Sequence, residues 1–197
     1  HVLFRSDKDW DWSYISEHAK WINTEKESDY YFKLLVDKLS FDKLSFRTDI
    51  NINEDVITKY ETKNWDWDAL TCNSSIVFSL DFIEKHLDKP WHWDVVSSRD
   101  DLSMAFLEKH IEMAWDWPVV TSKLFFEPTI AILKSIESKG GNVNWLSVSE
   151  NEKLTLETIK EYRFSIIWSS LIENNSQFLE IAGDLVAFIQ EFEQFII

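Results

Sequence analysis

The apolar positions along the chain follow one recurring pattern. An aromatic residue, a polar residue and a second aromatic stand together, an aliphatic residue follows three positions later, and Ser or Thr comes next. Four copies are clear: Trp10-Asp11-Trp12 with Ile15-Ser16, Trp65-Asp66-Trp67 with Leu70-Thr71, Trp91-His92-Trp93 with Val96-Ser97, and Trp115-Asp116-Trp117 with Val120-Thr121. We call this pattern the Trp signature.

Three degenerate copies of the Trp signature complete the series, one between the first two clear copies and two after the last clear copy. They are Leu39-Ser40-Phe41 with Leu44-Ser45, Val143-Asn144-Trp145 with Val148-Ser149, and Ile166-Ile167-Trp168 with Leu171-Ile172. The second aromatics then stand at positions 12, 41, 67, 93, 117, 145 and 168, so consecutive copies are 23–29 residues apart. A period in the twenties is typical of helical repeat arrays. We predict seven repeats, numbered 1 to 7, near residues 10–38, 39–64, 65–90, 91–114, 115–142, 143–165 and 166–197.

The second half of each repeat predicts a capped helix, which we call helix B. A residue whose side chain can cap a helix stands between two apolar residues, one directly before it and one four residues after it, as in a hydrophobic staple. The four clear caps are Asn53, Ser79, Ser103 and Thr155. In repeat 5, Glu127-Pro128 stands at this place, and Pro suits the first position of a helix. The Trp signature itself predicts a shorter helix A, and residues 177–195 predict one longer helix that includes Gly183.

The composition supports this helical interpretation. Glycine and proline number only three each, whereas all-β sandwiches and barrels need many tight turns built from such residues. The 45% of hydrophobic residues is enough for a sizeable core. We therefore predict an all-α fold, an α-solenoid of about seven short two-helix repeats that form a single array over residues 1–197. The chain is expected to be a portion of a longer protein.

The signature and its capped helix resemble a known class of repeat. Residues 89–98 (KPWHWDVVSS) followed by residues 102–110 (LSMAFLEKH) are similar to Trp-Asp-Trp-x-x-Leu-Ser tandem repeats of uncharacterised bacterial and large-DNA-virus proteins. The resemblance covers most of the chain and implies an α-helical repeat array. It implies no catalytic residue and no substrate.

Charge and cysteine content narrow the classes of partner. The formal net charge is −15, and the chain lacks the clustered Lys and Arg with which proteins bind nucleic acid. Direct binding to nucleic acid or to an anionic membrane is not expected, and no segment of 18 apolar residues predicts a membrane span. A basic protein partner is compatible with the charge. The single cysteine, Cys72, excludes an internal disulfide and favours a reducing, cytoplasmic setting.

The recurring aromatics are expected to form the structural core of the repeats rather than a ligand cage. Because one position is aromatic in every repeat, packing between neighbours explains it better than a single binding site does. His86 and His110 occupy a position that holds Tyr60 and Tyr162 in other repeats, so we interpret them as structural. The tryptophans assigned to the core are Trp12, Trp65, Trp67, Trp91, Trp93, Trp115, Trp117, Trp145 and Trp168.

Polar residues beside the tryptophans are the candidate contacts with a partner. Some Asp residues lie between two aromatics and others follow the second one, so they recur at the repeat period. One interpretation is that they cap or charge the first turn of helix A, and the other is an acidic groove for a basic segment. The candidate binding residues are Asp66, Asp68, His92, Asp94 and Asp116.

The function expected from these patterns is that of a non-catalytic protein-binding or scaffolding module. We expect no enzyme activity, catalytic residue, cofactor or metal, because no nucleophile motif, Gly-rich phosphate loop or ligand spacing for a metal occurs. Two alternatives stay open. One is an acidic mimic of nucleic acid that inhibits a DNA-binding protein, and the other is the sensor region of a larger enzyme whose catalytic domain lies outside this chain.

Overall fold

The computed structural model describes residues 9–20, 33–175 and 183, and these residues are helical with no strand among them. The all-α prediction is thereby confirmed. Twelve helices are fully contained in these ranges, and residues 33–35 are helical as well. The twelve are α1 (Trp12–His18), α2 (Phe41–Ser45), α3 (Glu54–Lys59), α4 (Trp67–Cys72), α5 (Leu80–Lys85), α6 (Trp93–Ser97), α7 (Met104–Lys109), α8 (Trp117–Val120), α9 (Ile130–Ser138), α10 (Trp145–Glu150), α11 (Leu156–Glu161) and α12 (Trp168–Asn174).

The chain forms two compact units, residues 1–92 and residues 93–197. The first unit contains α1 to α5 and the second contains α6 to α12. From α2 onward, helices that begin at the second aromatic of a Trp signature alternate with the predicted helices B. The helix predicted over residues 177–195 lies outside the described residues, apart from Gly183, which is helical.

The four clear caps of helix B are confirmed. Each cap residue has an extended backbone, and its side-chain oxygen accepts a hydrogen bond from the amide three residues later. The staple residues before and after each cap are buried, so the chain enters each helix B at a fixed point. The bonds run to Asn53 from Val56 (3.0 Å), to Ser79 from Phe82 (3.1 Å), to Ser103 from Phe106 (3.2 Å) and to Thr155 from Thr158 (3.2 Å).

The predicted start of helix B in repeat 5 is wrong by two residues. Thr129, not Glu127, is the cap of α9, and its hydroxyl accepts from the Ile132 amide at 3.3 Å. Thr is a strong cap because its short side chain reaches the free amides of the first turn. Pro128 lies just before the helix, is buried and takes the outer position of the hydrophobic staple. Its counterpart four residues after Thr129 is the fully buried Leu133.

The core of both units is built from two recurring positions. One is the aliphatic residue of the Trp signature, and the other is the inner staple residue of helix B. In repeat 1 the aliphatic residue, Ile15, is half-buried. In repeats 2 to 7 the aliphatic residue, and in repeats 2 to 6 the inner staple residue, is at most 2% exposed, and each contributes about 1.5–3 kcal/mol by its burial. They are Leu44, Leu70, Val96, Val120, Val148 and Leu171 from helices A, and Ile57, Ile83, Leu107, Leu133 and Ile159 from helices B.

Tyr162 links successive helices B in the second unit. It caps the carboxyl end of α11, and its hydroxyl donates to Oε2 of Glu137 on α9 at 3.2 Å. Burial of the phenol, together with the nearby Glu137 carboxylate, raises the pKa of Tyr162 to about 12 from its ordinary value of 10.0. Because the folded state holds this proton more tightly than the unfolded state, Tyr162 stabilises the fold fully only below about pH 10.

This pKa predicts an alkaline loss of stability that depends on one side chain. The free energy of unfolding of the wild type should exceed that of Tyr162→Phe by a margin that shrinks as pH rises from 10 towards 12. Urea denaturation of both proteins at several pH values between 9 and 12 measures that margin. A margin that stays constant or grows over this range would contradict the assignment.

Candidate functional site

The Ser or Thr of the Trp signature is buried or half-buried, and it bonds first within its own helix. In repeats 1 to 6 its hydroxyl donates to the carbonyl of the second aromatic, four residues earlier, at 2.6–2.8 Å. The hydroxyl proton is therefore committed, and the lone pairs of the same oxygen point to another partner.

That partner is a backbone amide of the next repeat. In each case the same oxygen accepts the backbone amide of the residue that lies between the two aromatic positions of the following Trp signature. Five of these bonds measure 2.8–3.0 Å and the third measures 3.5 Å. They run from Ser40 to Ser16, Asp66 to Ser45, His92 to Thr71, Asp116 to Ser97, Asn144 to Thr121 and Ile167 to Ser149. We call this arrangement the hydroxyl relay, and we call each contact between consecutive repeats a joint.

The residue between the aromatics also caps helix A. Its amide is bound by the preceding repeat, and its side chain accepts from the amide three residues later at the start of its own helix. Four such caps are formed: Asp11 accepts from the Tyr14 amide, Asp66 from that of Ala69, Asp116 from that of Val119 and Asn144 from that of Ser147. Two of the candidate binding residues, Asp66 and Asp116, thus each use a carboxylate oxygen to start a helix.

Aromatic contacts reinforce three of the joints. The second aromatic of one repeat meets the first Trp of the next edge to face, an arrangement that aromatic pairs favour. The ring centroids are 4.7 Å apart for Phe41–Trp65, 5.3 Å for Trp67–Trp91 and 4.9 Å for Trp93–Trp115.

The indole N–H of the first Trp is satisfied at the same joints. It donates to the carbonyl of the residue that ends the preceding helix B, so the tryptophan also closes that helix. The bonds are Trp65 to Tyr60 (3.0 Å), Trp91 to His86 (2.8 Å) and Trp115 to His110 (2.9 Å). In repeat 7, which lacks a first Trp, Trp168 donates instead to the Arg163 carbonyl at 3.2 Å.

The nine tryptophans assigned to the core differ in their burial. Five are at most 8% exposed, namely Trp65, Trp67, Trp91, Trp115 and Trp117. The other four are half-buried, namely Trp12, Trp93, Trp145 and Trp168. In the first unit, lysines lie over three of the second aromatics, with Lys38 Nζ 5.3 Å from the Trp12 ring, Lys63 Nζ 5.8 Å from the Phe41 ring and Lys89 Nζ 5.9 Å from the Trp67 ring. The ammonium groups thus lie over the ring faces, which attract cations.

Sequence reasoning missed a further set of joint residues at the end of helix A. Their side chains reach back and donate to backbone carbonyls of the preceding repeat. Arg47 Nη1 donates to Ser16 and Ala19, both at 3.0 Å. Asn73 donates to the carbonyls of Ser45 (2.9 Å) and Arg47 (3.0 Å). In the same way Lys123 donates to the Ser98 carbonyl (2.5 Å), Asn151 to that of Phe126 (2.9 Å) and Asn175 to that of Asn151 (2.9 Å).

Arg47 is the most constrained of these donors. Its side chain is 6% exposed, and its remaining donors Nε and Nη2 bind Asp49 at 2.9 and 2.8 Å. This paired contact holds the pKa of the Asp49 carboxyl below its ordinary value. A bidentate carboxylate lets the guanidinium be buried against the preceding repeat without an uncompensated charge.

The histidines lie at structural positions. His86 and His110 cap the carboxyl ends of α5 and α7, as Tyr60 and Tyr162 cap α3 and α11. The His86 ring stacks on Phe82 with centroids 4.1 Å apart, and its Nδ1 lies 2.8 Å from the Phe82 carbonyl oxygen. His92 differs, because it is half-buried and its Nε2 lies 3.8 Å from Oδ1 of Asp68.

Three Asp residues share the second position of a helix A, where a negative charge is favourable against the helix dipole. Asp68 and Asp94 are exposed at the starts of α4 and α6. Asp42 is half-buried at the start of α2, where its Oδ1 accepts from Ser40 Oγ at 2.5 Å and from Asn64 Nδ2 at 3.3 Å. Of the candidate acidic residues, Asp68 and Asp94 are thus the ones whose side chains face solvent.

Other chemistry is sparse in the part of the chain that the structure describes. Within residues 9–20 and 33–175, no three His, Cys, Asp or Glu side chains are grouped as metal ligands would be. Cys72 is exposed, and as the single cysteine it forms no disulfide within the chain. No helix among the described residues combines the length and the apolarity needed to cross a membrane.

Comparison with known proteins yields no relative: no family model matches the chain, and it matches none of the curated proteins or solved structures.

The hydroxyl relay predicts a sharp difference between two substitutions of Thr121, which is 1% exposed. Thr121→Val keeps the shape of the side chain but removes the acceptor of the Asn144 amide. This substitution should lower the unfolding free energy by roughly 1–3 kcal/mol. Thr121→Ser keeps the hydroxyl and serves as the control. Amide hydrogen exchange at Asn144 should accelerate in Thr121→Val alone. Equal exchange in the two variants would refute the relay.

The donors that reach back predict a second effect at the second joint. Asn73→Ala removes the side-chain donor from the Ser45 and Arg47 carbonyls, which should cost roughly 1–3 kcal/mol because these groups lie in a buried region. Ser74→Ala changes the adjacent exposed residue and should stay within about 0.5 kcal/mol of the wild type. Urea denaturation compares them. A loss no larger in Asn73→Ala than in Ser74→Ala would show that the donor is dispensable.

Proposed function

We propose that the chain is a non-catalytic protein-binding or scaffolding module, built as an α-solenoid of seven two-helix repeats. Contacts between helices support the arrangement, because they run between the same helices of consecutive repeats. Helices A pair as α1 with α2, α2 with α4, α6 with α8 and α10 with α12, and helices B pair as α9 with α11. Contacts confined to neighbours are typical of solenoids.

The observation that carries the functional proposal is that the recurring groups bind one another. The signature hydroxyl, the amide between the aromatics, the paired rings and the donors that reach back satisfy each other across the joints. A residue engaged in this way holds the array together and contributes little surface to a partner. Recognition then falls to the exposed positions, which differ between repeats, as in other solenoids.

The exposed positions favour a basic partner segment. Asp68 and Asp94 present carboxylates to solvent at the starts of helices A, and the chain as a whole carries a net charge of −15. A field of this sign draws a cationic segment towards the surface and repels acidic ones. Exposed apolar side chains, among them Phe46 (63%), Val77 (85%) and Leu124 (97%), offer apolar contact area as well.

Selection of peptides tests this function directly. A random peptide display library is selected on the immobilised wild-type chain, and binding of the selected peptides is measured by calorimetry. We expect Lys- and Arg-bearing peptides whose affinity falls severalfold in Asp68→Asn/Asp94→Asn and falls further at about 1 M salt, where the screening length is about 3 Å.

The matched control is Asp81→Asn/Glu108→Gln, which removes the same charge from exposed positions on helices B. Its affinity for the selected peptides should equal that of the wild type. A library that yields no specific binder would contradict the binding function. Peptides without basic residues, or equal losses in both double variants, would contradict the role of Asp68 and Asp94.

A further inference from the structure

The fifth joint departs from the pattern of the second, third and fourth joints. Val143, which is half-buried, stands where Trp65, Trp91 and Trp115 stand in repeats 3 to 5. Helix α9 before it has nine residues, whereas the other described helices B have six. It ends in a left-handed turn at Gly140, whose φ is 71°, with the Gly141 amide bound to the Ile136 carbonyl at 3.0 Å.

Gly141 packs directly against the Trp117 ring. A Cβ atom on Gly141 would lie 2.3 Å from Trp117 Cδ1 and 2.7 Å from Ile136 Cγ2, so only glycine fits against this ring. Gly140 is different, because a Cβ there would meet nothing within 4 Å. Two glycines cover the end of the helix with far less side-chain volume than a tryptophan would.

A cleft opens beside this joint, lined by residues of repeats 4 and 5. It measures about 560 Å³ and lies between residues 112–118 on one side and residues 139–142 on the other. Apolar side chains contribute to its lining, namely Met113, Trp115, Trp117 and Pro118. The volume falls within the range of about 300–1,000 Å³ that binding clefts for small ligands occupy.

We propose that this cleft binds an indole side chain carried by a partner segment, an inference that rests on the proposed binding function. The protein itself shows which group the position accepts. At the three joints with a first Trp, an indole meets the second aromatic edge to face at 4.7–5.3 Å. Its N–H donates to the carbonyl that ends helix B at 2.8–3.0 Å.

Both elements of that arrangement border the cleft at the fifth joint. Trp117 is the second aromatic, and Lys139 is the residue that ends α9. The rim adds a charge preference. Lys139 Nζ binds Glu112 Oε2 at 2.5 Å, so these two charges compensate each other. The remaining charged residue of the rim, Asp116, favours partner segments in which the residues beside the indole are neutral or cationic.

The probe for this site is N-acetyl-tryptophanamide, added to the ¹⁵N-labelled full chain. We expect saturable shifts of the indole N–H signals of Trp115 and Trp117, while those of Trp65 and Trp91 stay in place. N-acetyl-leucinamide, which lacks the ring and its N–H, should produce smaller shifts at the same concentration. Shifts that do not saturate, or that affect all tryptophans equally, would overturn the site.

Two variants test the position of the probe. Val143→Trp should place the chain's own indole in the cleft, and Met113→Glu places a charge on its apolar lining. Each is expected to weaken binding by about tenfold or more, which corresponds to about 1.4 kcal/mol. Leu124→Glu changes a residue that is 97% exposed and lies outside the cleft, so it should bind as the wild type does. Probe affinity that is unchanged in both cleft variants would overturn the proposal.

The two proposals fail in different ways. If peptides selected on the chain bind Val143→Trp and Met113→Glu as tightly as the wild type, and the probe does not saturate, the cleft is excluded while the binding function stands. If the probe saturates the cleft but no peptide is ever selected, the site holds an indole without serving a partner, and the binding function falls.

Discussion

A hydroxyl group that donates one hydrogen bond and accepts another holds successive repeats together. The Ser or Thr of the Trp signature donates within its own helix and accepts an amide from the next repeat, as Thr121 does with Trp117 and Asn144 at 2.7 and 3.0 Å. A hydroxyl can do both at once because it carries one donor and two lone pairs. A side chain without the hydroxyl would leave a partly buried amide unsatisfied, which costs more than the bond itself contributes. The other joint contacts depend on the register that this bond sets.

The relay explains why the signature has its spacing. The amide that the hydroxyl accepts belongs to the residue that caps the next helix A, so the two aromatics on either side of that residue are positioned by the same bond. One ring then meets the preceding repeat, as Trp91 meets Trp67, and the other begins the helix, as Trp93 does. The repeat length varies between 23 and 29 residues, whereas the signature that forms the joint keeps its length.

The parts of this structure that sequence predicted are those that depend on local spacing. A cap residue accepts from the amide three residues later, and the two residues of a staple are five positions apart. Ser79 and Ser103 could therefore be assigned as caps from their neighbours alone. Repeat 5 misled the prediction because proline is favoured both inside and just before a helix start, and only the hydroxyl of Thr129 separates the two cases. The donors that reach back were missed for another reason. Arg47, Asn73 and Lys123 share only the ability to donate, and their acceptors lie 25 or more residues away.

The candidate binding residues divide according to the same logic. Asp66 and Asp116 recur because a helix must be capped, whereas Asp68 and Asp94 face solvent, so recurrence by itself does not separate a structural acid from a contact with a partner. What separates them is whether the carboxylate oxygen accepts a hydrogen bond that caps a helix. At the fifth joint the corresponding difference lies in the packing rather than in a single side chain. Where Val143 replaces a tryptophan, the packing that the array supplies to itself is reduced, and a cleft bordered by Trp117 and the end of α9 takes its place.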